Sequence, residues 1–215
     1  YGVPESKTQL IYNAYHGPLA RDVAATQREA RERLGLRVEP RYVLTICRLM
    51  VWKGVDGIID ALAGLPQDVE LLIAGDGDME QAWKEHAAKR GLAARVHFLG
   101  NVPYKNIPLL VRASDVFVLN SEYEGLSHTL LEVSALGAPI VCTGVCGNPE
   151  VVEHEVNGLL VPPKAPDAVR DAVRRVLDEP GLGARFVAAG LARMDRFSRD
   201  KTFGEVESAL QRLIR

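Results

Sequence analysis

Two kinds of apolar run alternate along the chain. Residues 42–49 (YVLTICRL), 69–74 (VELLIA), 96–99 (VHFL), 116–119 (VFVL) and 139–143 (PIVCT) are short and rich in apolar residues, several almost without a break, and 158–161 (GLLV) adds a sixth. Such runs suit strands of a parallel sheet that is covered on both faces. Residues 54–64, 78–91, 104–113 and 127–136 lie between them, each long enough for a crossover helix. Repeated strand–helix–strand units with right-handed crossovers predict an α/β fold built on a doubly wound parallel sheet. After Pro166 the pattern is helical only, with helices expected over 166–177, 182–194 and 198–214. The first 40 residues fit less well: 8–18 (TQLIYNAYHGP) reads as a strand running into a loop, and 22–34 as a basic helix.

Composition narrows the picture. With 215 residues, 47% of them hydrophobic, the chain can bury a substantial core in one or two domains. A net charge of -2 argues against broad binding to nucleic acid or to an anionic membrane. No apolar run approaches the roughly 20 residues that span a bilayer, and no secretory signal pattern opens the sequence. Cys47, Cys142 and Cys146 are an odd set, which suits a reducing compartment and a cytoplasmic location; the Cys142-x3-Cys146 pair lacks a second ligand pair and reads as packing. The sequence begins at Tyr1 rather than Met, as a fragment or processed product would.

In open α/β sheets ligands bind outside the carboxyl ends of the strands, so motifs at strand ends carry the functional argument. The first is RLMVWKG, where Arg48 closes a strand and Lys53-Gly54 opens a helix. Two cations five residues apart at such a junction could grip a diphosphate, Arg48 by its fork and Lys53 as a point charge, although the same spacing suits two solvated surface cations. The second is AGDGDMEQ, residues 74–81. Asp76-x-Asp78 is compatible with a divalent metal and Gly75-x-Gly77 with part of a dinucleotide fingerprint, but Glu80 replaces the third glycine. Asp78 is expected instead to cap the following helix. The third is SEYEGLSHTLLEVSALGAPIV, residues 121–141. Ser127 reads as an N-cap, Gly137 as a stop, and the amides of residues 126–129 as a crown for an anion. Glu132 is the one acidic side chain between residues 125 and 149, set about one turn into this apolar helix. A carboxylate there needs a partner, either local backbone, an arginine or a ligand.

Taken in order, these segments resemble the retaining nucleotide-sugar glycosyltransferases of family 4, which have the GT-B fold. Besides Glu124-x7-Glu132, the likeness rests on GVPESKTQLIYNAYH, RLMVWKG, LLIAGDGDME, VHFLGNVP, ASDVFVLNSEYEGL and NPEVVEHEVNGLLVPP, and it covers nearly the whole chain. The resemblance implies a Rossmann-like donor domain over residues 41–197, preceded by an interdomain junction and leading helix over 1–40. Residues 198–215 would be a closing helix that crosses to an N-terminal domain absent from this sequence. It further implies a nucleoside-diphosphate sugar as donor, with Arg48 and Lys53 on the diphosphate and backbone near Asn101 and Val102 on the base. Glu132 would bind the ribose hydroxyls, and Glu124 would lie beside the sugar, with Gly125, Leu126 and Ser127 placing sugar and phosphate. Arg48, Lys53 and Glu124 would form the catalytic set, stabilising the departing nucleoside diphosphate without a metal or other cofactor.

The acceptor, a glycan, lipid or small molecule, would reach the reaction through the absent domain, and the whole protein could associate peripherally with the inner face of a membrane. Departures from the family pattern cluster near the sugar: Ser127-His128 replaces a common Pro-Asn, Gly144 and Cys146 stand in TGVCGNPE, and Cys47 stands where a glycine is usual. They leave open which sugar is used and whether His128 contacts it. A non-catalytic nucleotide-binding or scaffolding module of the same fold is the alternative to an enzyme. A nicotinamide-dependent dehydrogenase is a weaker one, given the broken fingerprint.

Overall fold

The structure is a computed structural model that describes residue 4, residues 7–15 and residues 17–213. The remaining residues, which the expected junction and closing helix include, lie outside this description. Six strands form one parallel sheet: β1 (Arg41–Ile46), β2 (Val69–Ala74), β3 (Val96–Gly100), β4 (Val116–Leu119), β5 (Ile140–Thr143) and β6 (Leu159–Val161). Their spatial order is β3-β2-β1-β4-β5-β6, so the direction of winding reverses between β1 and β4, where Val43 faces Val116 and Leu44 faces Phe117. Helices α2 (Val55–Ala63), α3 (Glu80–Lys89), α4 (Ile107–Ala113), α5 (His128–Leu136) and the single-turn α6 (Asn148–Val151) make the connections. Helix α1 (Gln27–Arg33) precedes the sheet, and α7 (Pro166–Asp178), α8 (Leu182–Arg193) and α9 (Arg199–Leu213) follow it.

Alternation along the strands divides the core into two layers, because successive side chains point to opposite faces. Val43, Leu71, Ile73, Val118 and Val141 pack with Ile59, Leu62, Trp83, Val173 and Phe186 on one face. Tyr42, Leu44, Leu72, Phe117 and Cys142 pack with Leu110, Leu130, Leu131, Val133 and Phe197 on the other. Helix α5 is buried along most of its length, which explains why its sequence is apolar almost all round.

Four expectations are corrected. The first strand ends at Ile46 rather than residue 49, because the chain turns there to pass over the β2–α3 loop: Leu49 N donates to Asp76 O at 2.7 Å, and Met79 N donates to Leu49 O at 2.9 Å. This crossing also accounts for Gly75-x-Gly77, since a Cβ on Gly75 would lie 1.9 Å from Cys47 O and one on Gly77 2.5 Å from Leu49 O. Asp78 does not cap α3, which starts two residues later with Met79 at the cap position and no side-chain cap bond. Residues 8–18 contain no strand among those described. Only Tyr15 makes a ladder bridge, to Ser198, and the segment is held instead by its aromatic and polar groups. Tyr15 N donates to Phe197 O at 2.7 Å, Thr202 Oγ1 to Tyr12 O at 3.0 Å, and the Tyr12 and Phe197 rings meet edge to face at 5.3 Å.

The fourth correction concerns the basic helix, which is shorter than expected and begins at Gln27. Thr26 and Glu29 form a capping box that fixes this start. Arg31 is buried, not solvated: it donates to Ala113 O and Val38 O and pairs with Asp115 at 2.7 Å, pinning α1 against the end of α4. Thr26→Ala is expected to cost about 1 kcal/mol through loss of the cap, read as a lower urea midpoint with an unchanged slope.

A candidate donor crevice at the sheet switch point

The loops leaving β1 and β4 meet over the reversal in strand order, where an open α/β sheet offers a crevice. The β1 loop makes a short 3-10 turn at Val51–Lys53 and enters α2 through Gly54, which is left-handed at φ 58°. Gly54 also accommodates close approach, as a Cβ there would sit 2.6 Å from Asn120 O. Two bonds fasten this loop to the one after β4: Asn120 Nδ2 donates to Gly54 O at 2.7 Å, and Glu122 N donates to Trp52 O at 2.7 Å.

The fastening brings Lys53 and Glu124 together although they are 71 residues apart. Lys53 Nζ lies 2.5 Å from Glu124 Oε1, and the two side chains retain only 17% and 13% of their exposure. Ser121 Oγ donates to the same carboxylate oxygen at 2.7 Å. Ser121 is itself fixed from β5, because Thr143 Oγ1 donates to Ser121 O at 2.6 Å and Asn148 Nδ2 to Thr143 O at 2.9 Å. Ser121, Thr143 and Asn148 are all fully buried, so Glu124 is held by a polar chain that reaches across two strand ends.

Arg48 stands exposed at the other side of the β1 loop. It lines a cavity of about 300 Å³ together with Gly75, Asp76, Asn101, Val102 and Thr129. The carboxyl ends of β1, β2 and β3 and the first turn of α5 therefore converge on one space. Ser127 is the N-cap of α5, its Oγ accepting from Leu130 N at 3.4 Å, and Gly137 closes the helix in the left-handed conformation at φ 77°. Gly125 and Leu126 pack under the loop after β5, where a Cβ on Gly147 would lie 2.2 Å from Gly125 O.

Glu132 opens onto a second cavity, of about 580 Å³, shared with Tyr15, Gly17, Tyr104 and His128. Its Oε1 is buried and has no hydrogen-bond partner. Burial raises the pKa of this carboxyl, and a hydrogen bond from the Tyr104 hydroxyl acts in the opposite direction. Thr129 and Glu132 lie three residues apart on α5, so its first turn links the two cavities. The expected residues thus fall into three groups: Arg48 with Asn101 and Val102 on one cavity, Glu132 on the other, and Lys53 paired with Glu124 between the loops leaving β1 and β4. Asn120, Ser121, Tyr15 and Tyr104 were not singled out from the sequence. Ser121 and Tyr104 had a local signal, as hydroxyls in strand-end loops, but nothing in the spacing shows which carboxylate each meets.

Among the described residues no helix is long and apolar enough to cross a membrane. The sequence model of the family described as glycosyl transferases group 1 matches residues 26–193. The chain is 33% identical over 187 residues to the uncharacterized glycosyltransferase MJ1607 of Methanocaldococcus jannaschii, an alignment covering 85% of this chain and 48% of that protein. It is 35% identical over 167 residues to the alpha-D-kanosaminyltransferase of Streptomyces kanamyceticus, covering 76% and 43% respectively. The chain thus spans about half the length of these curated relatives. Among solved structures, Anabaena HepE in complex with UDP and glucose superposes with a TM-score of 0.85 at 27% identity, over 98% of this chain and 58% of that one. Six parallel strands with flanking helices, Rossmann-like as in GT-B glycosyltransferases, and the family match across most of the sequence lead to one assignment: the chain belongs to the group 1 glycosyl transferases.

Proposed function

We propose that this chain is the donor-binding half of a retaining glycosyltransferase of family 4, one that moves a sugar from a nucleoside-diphosphate sugar to an acceptor held by a second domain. The observation that carries the proposal is the grouping of Arg48, Lys53 and Glu124 with the unpartnered oxygen of Glu132 around the β1/β4 switch point. Arg48 and Lys53 bind the diphosphate, the backbone at Asn101 and Val102 receives the base, and Glu132 accepts from the ribose hydroxyls. Glu124, fixed by Lys53 and Ser121, lies beside the sugar, while the amides of Gly125, Leu126 and Ser127 face the phosphate. As the glycosidic bond breaks, negative charge grows on the leaving diphosphate, and Arg48, Lys53 and the N-terminus of α5 stabilise it.

The complex of HepE with UDP and glucose supports a nucleoside diphosphate as the first ligand to try. Residues 41–197 form the donor domain, residues 1–40 the junction, and α9 the element that reaches the second domain. The exposed Phe203, Val206 and Leu210 of α9 support that last assignment.

Thermal unfolding with UDP, GDP, ADP and CMP tests the reading. A one-site ligand at 100 times its dissociation constant adds about 2.7 kcal/mol, which raises the midpoint of a chain this size by roughly 5–10 °C. One nucleoside diphosphate is expected to produce that shift, and Glu132→Ala to abolish it. No shift with any of the four, from folded wild-type protein, would overturn the nucleotide reading.

A further inference from the structure

The carboxylate of Glu124 is bonded unevenly. Lys53 Nζ at 2.5 Å and Ser121 Oγ at 2.7 Å both meet Oε1, and no hydrogen bond or ion pair reaches Oε2 among the described residues. The two partners differ in freedom. Ser121 is fully buried and held from β5 through Thr143, so it fixes Glu124 in place. Lys53 reaches the same oxygen on a four-carbon stem, from a turn whose backbone is tied on either side to the loop after β4. An ammonium on such a stem changes partners by rotating its own bonds, with no shift of the main chain. Glu124 is therefore the fixed member of the pair and Lys53 the movable one.

Both side chains are largely withdrawn from water, so their attraction is only weakly screened. A diphosphate that approaches Lys53 either draws it off the carboxylate or shares it with a second anion, and each route weakens the hold on the diphosphate. A nucleoside-diphosphate sugar brings compensation: a sugar hydroxyl that donates to Oε2 gives Glu124 a new partner as Lys53 turns to the phosphate. A nucleoside diphosphate without its sugar brings no such donor and leaves the carboxylate with Ser121 alone. We propose that the Lys53–Glu124 pair is a selectivity lock: it yields to a nucleoside-diphosphate sugar and works against a free nucleoside diphosphate by returning Lys53 to Glu124. This inference rests on the donor reading above and adds a direction to it, since a site so built takes up the sugar-bearing donor and sheds the product left after transfer.

The test is a double-mutant cycle on the whole chain, with wild type, Glu124→Gln, Lys53→Ala and the double variant each checked for folding by urea midpoint. Glutamine keeps the shape of the side chain and an oxygen for Ser121 while removing the charge. Calorimetry measures UDP, GDP and ADP, then UDP-glucose, GDP-mannose and ADP-glucose. Glu124→Gln is expected to tighten the nucleoside diphosphate roughly tenfold when Lys53 is present and to leave it unchanged when Lys53 is alanine. For the matching nucleotide sugar the gain is expected to vanish, because the weakened contact to the hydroxyl offsets the freed lysine. Unchanged or weaker nucleoside diphosphate in Glu124→Gln, or an equal gain with and without Lys53, would overturn the lock while the donor reading stood. An equal gain for the nucleoside diphosphate and its sugar would overturn the selectivity. No binding of any of the six ligands, by folded wild type or by folded Glu124→Gln, would overturn the lock and the donor reading together.

Discussion

Lys53→Ala is expected to lower the affinity of the chain for a nucleoside diphosphate roughly ten- to hundredfold, the worth of one charge-assisted contact. The same substitution should cost stability, and the two losses can be separated. Lys53 is the sole cation at hydrogen-bond distance from Glu124 among the described residues, and both side chains are largely withdrawn from water. Deleting one member of a buried pair leaves an uncompensated charge, worth 3–5 kcal/mol in full burial and about 2 kcal/mol with the exposure that remains here. After the substitution Glu124 keeps only its bond from Ser121 Oγ. Adding Glu124→Gln removes the stranded charge, so the double variant should regain most of the urea midpoint and none of the affinity. Calorimetry on a folded Lys53→Ala protein decides the matter: an unchanged dissociation constant would remove Lys53 from the phosphate site.

Glu132→Leu should move stability and binding in opposite directions. The side chain sits on α5 among the buried Leu130, Leu131, Val133 and Leu136, with one oxygen that has no partner. Leaving a buried polar atom unsatisfied costs about 1–3 kcal/mol, and a leucine of similar size would relieve part of it. A gain of about 1 kcal/mol, or 2–4 °C in Tm, is expected at neutral pH together with loss of nucleotide binding. The sign of the pH dependence follows from the raised pKa of Glu132. The folded chain holds the proton more tightly than the unfolded chain, so the wild type loses stability as pH rises through the folded-state pKa and regains it in acid. The advantage of Glu132→Leu should therefore be complete above that pKa, shrink as pH falls through it, and be smallest below the ordinary carboxylate range. A leucine variant less stable than wild type at pH 7 would show that the carboxylate is satisfied in solution. Such a trade of stability against function is what a binding site in an otherwise apolar helix entails.

The sheet was legible because its strands are apolar on both faces. Runs such as VELLIA and VFVL leave little choice of structure, and the helices between them are bounded by glycine, proline and serine. What failed to show were features decided by contacts distant in sequence. The end of β1 depends on a crossing with the Gly75 loop, and the burial of Arg31 depends on Asp115, 84 residues away. The leading segment resembles a strand in composition, but its partner is a turn after α8 rather than a sheet edge. At the crevice, Arg48, Lys53, Glu124 and Glu132 stood out as charged residues at strand ends or inside an apolar helix. The ion pair of Lys53 with Glu124 and the convergence of Tyr15 and Tyr104 did not, because each joins loops that come together only when the strands are ordered 3-2-1-4-5-6.

The junction between Tyr12–Tyr15 and residues 196–202 has a mechanical consequence. Tyr12 and Tyr15 of the incoming chain are tied to residues 196–202 of the outgoing chain by three hydrogen bonds, one of them from Arg196 to the Tyr12 hydroxyl, and by the Tyr12–Phe197 ring contact. Tension applied through the two ends would load these few contacts one after another, like a zipper opened from its end, rather than shearing the six strands in parallel. A module attached through both ends would accordingly swing about this tie as about a hinge pin, and because Tyr15 also lines the Glu132 cavity, that wall of the site would feel the swing first.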